Sequence, residues 1–139
     1  AKRFIEYASA FEQTFDDDDW TRLEAYFTAD AVYAVTAGAL LGGRWEGRAQ
    51  VIEHLRESVN RIDRKFDERR VEVQGAPILG ENSFEIGWRG SYKKAGCPDL
   101  VFEGTERATF AGDRIALLED TLEEGADERI RSYLAQHFG

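Results

Sequence analysis

The sequence has little of what marks secreted, membrane-bound or nucleic-acid-binding proteins. Its single cysteine, Cys97, excludes an internal disulfide and gives no support for an oxidising compartment. No apolar run reaches the length of about 18 residues that crosses a membrane, and the start of the chain does not resemble a signal peptide. Lysine and arginine number 18 against 27 aspartates and glutamates, a net charge of −9 that opposes attraction to phosphate or anionic lipid. We therefore expect a cytoplasmic protein without nucleic-acid or membrane partners.

Length and composition predict a single folded domain over residues 1–139. A chain of 139 residues has the usual size of one domain and should bury roughly two-thirds of its unfolded surface. Hydrophobic residues make up 42% of the chain, more than disordered sequences carry, although 32% of the residues are charged. We therefore expect one hydrophobic core.

The order of hydrophobic periodicities predicts an α+β fold. Helical spacing covers about Lys2–Phe15 and Ala49–Ile62, with a short helix over Trp20–Phe27 and another at the end of the chain. The expected strands are Ala31–Thr36, Arg44–Glu46, Val71–Leu79, Ser83–Lys93, Leu100–Ala111 and Arg114–Glu124. Helices followed by successive hairpins indicate a bent antiparallel sheet with the helices gathered on one of its faces.

The helices carry apolar stripes that we expect to pack against the sheet. In the first helix the stripe is formed by Phe4, Ala8, Phe11 and Phe15. The helix over Ala49–Ile62 has a similar stripe, and His54 lies at its edge. A neutral histidine there could act as an acid–base group, and a structural boundary position is the alternative.

Alternation in the last strand places a carboxylate among apolar side chains. One face of Arg114–Glu124 carries Ala116, Leu118, Asp120 and Leu122. An aspartate enclosed in this way either has a cationic or hydrogen-bonding partner or stays protonated, because burial disfavours its charge. A functional carboxylate and a buried structural ion pair are both open at this point.

The strand Ser83–Lys93 has two different faces, and either could meet a ligand. Phe84, Ile86, Trp88 and Tyr92 share one face, whereas Glu85, Arg89, Ser91 and Lys93 share the other. Alternation alone turns Arg89 toward water. In a strongly curved sheet, however, the Trp88 face could form a dimer interface while the Arg89 face lines a pocket, and the sequence leaves both interpretations open.

The order of elements, together with YFTADAV at 26–32 and GRWEGR at 43–48, resembles the nuclear transport factor 2-like superfamily and specifically its SnoaL-like branch. The resemblance covers nearly the whole chain. It implies a cone-shaped fold in which a curved mixed sheet wraps around the N-terminal helices and leaves a mostly apolar cavity. It also implies pairing of two copies through the sheet, but it does not specify a reaction.

Two enzyme groups of that superfamily suggest site residues. The resemblance to steroid isomerases puts Phe11 at the position of a tyrosine and Val35 at the position of an aspartate, so we expect that chemistry to be absent. Tyr7 and Tyr33 are phenols nearby. The resemblance to limonene epoxide hydrolases implies that Asp120 holds or activates a water and that Arg89 stabilises charge and orients its partner. Ser91 takes the place of a second carboxylate.

These observations predict a protein that binds a small, mostly apolar molecule and forms a homodimer, without a cofactor or a metal site. The leading hypothesis is an enzyme that performs acid–base chemistry of a hydrolase, isomerase or dehydratase type. Its predicted catalytic residues are Asp120, Arg89, Tyr33, Tyr7 and His54, and its predicted ligand contacts are Phe11, Phe15, Val35, Ser91 and Leu118. The alternatives are a ligand-binding protein without catalysis and a dimeric protein-interaction module.

Overall fold

The computed structural model describes residues 2–138, which form α-helices and 3-10 helices packed on a six-stranded sheet. The helices are α1 (Lys2–Asp17), α2 (Arg48–Arg61) and α3 (Ala126–Phe138), with 3-10 helices at Trp20–Tyr26 and Asp63–Lys65. The strands are β1 (Phe27–Thr36), β2 (Gly43–Glu46), β3 (Glu68–Leu79), β4 (Ser83–Lys93), β5 (Leu100–Ala111) and β6 (Arg114–Leu122). The predicted α+β class is confirmed. Within residues 2–138, no helix has both the length and the apolar character needed to cross a membrane.

The sheet is mixed, with the strand order β2-β1-β6-β5-β4-β3. Neighbouring strands run antiparallel except β1 and β6, which run parallel. The last strand therefore returns to the middle of the sheet beside the first. This pairing sets Val35 next to Asp120.

β3 lies at one edge of the sheet and pairs with β4 alone. Nearly all of its residues are exposed, including Val73 and Ile78. Its pairing with β4 is interrupted between Gln74 and Ile78, where Gly75 adopts a φ of 75° and Pro77 follows. At the other edge, β2 is only four residues long.

A β-bulge in β6 shifts the pairing of the last hairpin by one residue. Ile115 pairs with Phe110, but the next pair along the ladder joins Leu117 to Thr109, which leaves Ala116 as an extra residue in β6. Because successive side chains of a strand point to opposite faces, one extra residue exchanges the faces of everything beyond it.

The bulge decides which residues of β5 and β6 share a face. With it, Glu106 lies directly opposite Asp120, and both side chains point to the helices. In a hairpin without the extra residue, Glu106 would lie opposite Glu119, and Asp120 would point away from it. The bulge is therefore a precondition for any site that uses both carboxyl groups.

The core is formed where α1, α2 and the 3-10 helix Trp20–Tyr26 pack on β1 and β6. Its fully buried side chains include Leu23, Phe27, Val51, Ile115 and Leu118. A second cluster, beneath α3, contains Ile62, Tyr92, Leu100, Phe102, Ile130 and Tyr133. The predicted stripe of α1 is rotated: Phe4, Tyr7, Ala10 and Thr14 are buried, whereas Ala8 is exposed and Phe11 and Phe15 are half-buried.

Leu118→Ala should lower the free energy of unfolding by roughly 2–5 kcal/mol, because it removes a large, fully buried side chain from a packed core. Urea titration followed by tryptophan fluorescence measures this loss. Val101→Ala is the control, since Val101 in β5 is 40% exposed and its truncation should cost less than about 1 kcal/mol. An equal effect of the two substitutions would contradict this account of the core.

Candidate active site

A cavity of about 310 Å³ lies between the helices and the sheet. Its wall is mostly apolar and includes the aromatic residues Tyr7, Phe11, Tyr33, Trp88, Tyr92 and Phe102. Cavities of this composition, with a few convergent polar groups, are typical of sites for small and mostly apolar molecules. The polar groups of this cavity lie in two places, one around Asp120 and one around Arg69.

Two carboxyl groups, Asp120 and Glu106, face each other in the wall of the cavity. They are opposite residues on neighbouring antiparallel strands, an arrangement that brings β-carbons to about 4.5–5.5 Å. Both side chains are half-buried, and they line the cavity rather than the outer surface. Two carboxylates that share one enclosed space cannot both ionise easily.

The pair therefore keeps one proton near neutral pH. Burial raises the pKa of Asp120 to about 6, and a hydrogen bond from Tyr33 partly offsets that rise. Burial, and after it the charge of Asp120, raises the pKa of Glu106 well above its usual range. Both shifts act in the same direction, so the pair favours a state in which one carboxyl group is charged and the other is protonated.

Tyr33 binds the charged member of this pair. Its hydroxyl donates a hydrogen bond to Oδ2 of Asp120. Burial, followed by the charge of Asp120, raises the pKa of Tyr33, so the phenol stays protonated and remains a donor. Its ring lies beside the stacked rings of Trp45 and His54, with centroids 5.9 Å from Trp45 and 5.7 Å from His54.

The two remaining catalytic candidates that reach the cavity are Tyr7 and His54. Burial, and then the charges of Glu106 and Asp120, raises the pKa of Tyr7, which keeps its hydroxyl neutral. The imidazole of His54 stacks on Trp45 with ring centroids 3.3 Å apart. Burial lowers the pKa of His54 to about 4, so the ring is neutral at physiological pH.

The predicted pairing of Arg89 with Asp120 is wrong. Arg89 lies on the opposite face of β4 from the cavity, where its Nη2 is 2.8 Å from Oε1 of Glu103 and its side chain is 48% exposed. Alternation explains the position, because the neighbouring Trp88 lines the cavity. Of the two interpretations of this strand, the Trp88 face is the one that lines the pocket. Ser91 shares the face of Arg89 and is not part of the lining.

Two of the predicted ligand contacts, Phe11 and Val35, line the cavity. Phe15 does not, because its ring packs beneath a guanidinium group, with the Arg69 carbon 4.7 Å from the ring centroid. Leu118 is also outside the lining, since it is fully buried in the core behind it.

Glu106 was missed by the sequence analysis, although a signal for it exists. In β5 it alternates with Phe102 and Ala108, both of which are buried, so its face is an apolar one. Its partner Asp120 has the same pattern in β6. A search for carboxylates on apolar faces of adjacent strands would have selected both residues.

A second polar group, also missed, lies around Arg69 of β3. Its Nε is 2.6 Å from Oδ2 of Asp63, and its Nη1 is 2.7 Å from Oε1 of Glu12 on α1. Burial raises the pKa of Asp63, and the charge of Arg69 offsets part of that rise. All three side chains contribute to the cavity lining.

Comparison with known proteins identifies the family. The sequence profile of the SnoaL-like domain matches residues 8–118. The chain belongs to the SnoaL-like domain family. This confirms the predicted resemblance to the SnoaL-like branch, and solved NTF2-like proteins share its fold. No curated protein matches the sequence.

Solved structures share the fold of this SnoaL-like domain at low identity. A candidate isomerase from Rhodopseudomonas palustris superposes with a TM-score of 0.74 at 17% identity, covering 94% of this chain and 96% of that one. An NTF2-like protein from Burkholderia pseudomallei gives 0.69 at 17% identity, covering 94% and 97%. TerC, co-crystallised with polyporic acid, gives 0.67 at 16% identity, covering 93% and 98%.

The contribution of Asp120 to the stability of this SnoaL-like domain should fall as the pH rises from 4 to 7. The folded-state pKa of Asp120 lies above its ordinary value, so between about pH 4 and 6 the folded state binds more protons than the unfolded state. Relative to Asp120→Asn, the wild type should lose roughly 1–3 kcal/mol of unfolding free energy over this range. Urea titrations at several pH values measure the loss. Glu119→Gln, on the opposite face of β6, should keep the wild-type slope, and equal slopes for wild type and Asp120→Asn would contradict the prediction.

Tyr33→Phe should raise the pKa of Asp120 above about 6, because it removes the hydrogen bond that stabilises the charged carboxylate. Titration of the Asp120 side-chain carbon by ¹³C NMR measures this pKa directly. Tyr133→Phe is a matched control, since the Tyr133 hydroxyl bonds the carbonyl of Pro98, away from the cavity lining. A pKa that is unchanged in Tyr33→Phe would show that the phenol does not act on Asp120.

Proposed function

We propose that this SnoaL-like domain is an acid–base enzyme that moves a proton on a small, mostly apolar molecule containing a carbonyl group. The observation that carries the proposal is the carboxyl pair in the mostly apolar cavity, where Asp120 and Glu106 lie opposite each other and burial favours one charged and one protonated group. Such a pair offers a base and an acid side by side. General acid–base catalysis needs both, with pKa values near the working pH.

The roles of the two carboxyl groups follow from their protonation. Asp120 takes a proton from the carbon next to the carbonyl, and the electron pair of that C–H bond forms the carbon–carbon double bond. Glu106 gives its proton to the carbonyl oxygen, so the product is a neutral enol and the pair again holds one proton. Where a second carbon–carbon double bond is conjugated with the enol, Asp120 returns its proton to the γ-carbon while Glu106 takes back the hydroxyl proton. The carbonyl group then re-forms, the double bond has moved, and the isomerisation is complete.

Tyr33 and the apolar wall support this step. The Tyr33 hydrogen bond occupies Oδ2 of Asp120 and leaves Oδ1 free for the substrate. The mostly apolar lining lowers the local dielectric constant, which strengthens the electrostatic interactions of both carboxyl groups. Hydrolysis of an epoxide is less well supported, because Arg89, which the hydrolase comparison requires beside Asp120, lies on the other face of the sheet.

The structural relatives are consistent with a small-molecule role. One is a candidate isomerase, and TerC was co-crystallised with polyporic acid. At 17% and 16% identity they carry no information about the substrate of this chain. Pairing of two copies through the sheet, a cytoplasmic location and a single domain over residues 1–139 stay predictions.

The wild type should exchange the α-protons of 2-tetralone, a compact apolar ketone, for deuterium in D₂O faster than buffer alone. Asp120→Asn should lower the catalysed rate by about 10²–10⁴-fold because it removes the base. ¹H NMR measures the rate, and circular dichroism verifies that the variant is folded. Glu119→Gln should keep the wild-type rate. Saturable binding of 2-tetralone without catalysed exchange would contradict the proposal and favour a ligand-binding protein.

A further inference from the structure

We propose that Arg69 is a second recognition point in the cavity and that it binds an oxygen anion, a carboxylate or a phenolate, at the far end of the ligand. The inference rests on the small-molecule role of the cavity proposed above, but not on the acid–base step. It concerns the polar group around Arg69, which is one pole of the cavity. The proton transfer uses the other pole, around Asp120.

The guanidinium of Arg69 is well enclosed but not fully engaged. Its side chain is 12% exposed and that of its partner Asp63 is 15% exposed, while both contribute to the cavity lining. Asp63 accepts from Nε and neutralises the buried charge. A guanidinium has five N–H donors, so some remain for other acceptors beyond Asp63, Glu12 and the neighbouring Tyr92.

Glu12, which pairs with Arg69 alongside Asp63, is a carboxylate that a ligand can replace. It reaches Nη1 of Arg69 from α1, but its own side chain is 57% exposed. An exposed carboxylate gives up an ion pair at little cost, because water solvates it on release. A ligand oxyanion at Nη1 would leave the local charge as it is now, with one cation beside two anions. Charge-assisted bonds of this kind are among the strongest in proteins.

The opposite pole of the cavity fixes the direction of the ligand. The pair of Asp120 and Glu106 already holds one negative charge at neutral pH, so it repels an anion and accepts a neutral carbonyl. Tyr7 and Glu12, one associated with each pole, both line the cavity and are five residues apart along α1, a helix rise of about 7.5 Å. A ligand that reaches both poles needs an apolar body between its carbonyl group and its anion.

The test compares 2-naphthoate with 2-naphthamide, which have the same shape and differ in charge. Isothermal titration calorimetry gives the affinity of each for the wild type and three variants. Glu12→Gln removes the competing carboxylate. Arg69→Gln combined with Asp63→Asn removes the buried pair together, so that no buried charge is left unpaired. Arg89→Gln removes an arginine from the outer face of the sheet as a matched control.

The wild type should bind 2-naphthoate about tenfold more tightly than 2-naphthamide, as one charge-assisted hydrogen bond predicts. Glu12→Gln should increase this preference, the double variant should abolish it, and Arg89→Gln should leave it unchanged. Equal affinities in the wild type, no binding of either compound, or a preference that Glu12→Gln leaves unchanged would each overturn the inference. If the double variant does not fold, Glu12→Gln alone decides the question. Exchange of 2-tetralone without a preference for 2-naphthoate would overturn the role of Arg69 and leave the acid–base function standing.

Discussion

The mutual repulsion of two enclosed carboxyl groups is the interaction on which the rest of the site depends. Burial opposes ionisation of both Asp120 and Glu106, and the charge of Asp120 further opposes ionisation of Glu106. Burial, and after it the same negative charge, keeps Tyr33 and Tyr7 protonated. Arg69, the arginine of the cavity lining, pairs with Asp63 and Glu12 rather than with either member of the carboxyl pair. Burial of charge thus governs the protonation of the polar groups around Asp120.

The sequence predicts well which side chains of a single strand share a face, and this part of the site follows from it. The bounds of β4 and β5 agree with the prediction, and the enclosed position of Asp120 follows from the apolar residues on either side of it. The error over Arg89 arose where a distant resemblance was preferred to alternation, which correctly turned that side chain toward water. Local periodicity is dictated by the pleat of the strand, whereas catalytic residues differ among proteins of one fold.

Contacts between strands and between distant segments could not be predicted from the sequence. The pairing of Glu106 with Asp120 depends on the extra residue Ala116, and no residue type around it marks a bulge. Arg69 meets Glu12 across 57 positions of chain, a separation at which no local pattern carries information. The prediction also began β3 at Val71 and so left Arg69 outside the strand. Such groups become visible only when the fold brings them together.

The interrupted edge strand has a consequence for the protein in a crowded solution. An exposed strand offers a free row of backbone donors and acceptors, and such rows recruit strands of other molecules into growing sheets. In β3 the break between Gln74 and Ile78 contains Pro77, which has no amide hydrogen to offer, and at the opposite edge β2 ends after four residues. Neither border supports a long continuous ladder. The interruption therefore lowers the tendency of β3, the long and largely exposed strand that contributes to the cavity wall, to pair with other molecules and aggregate.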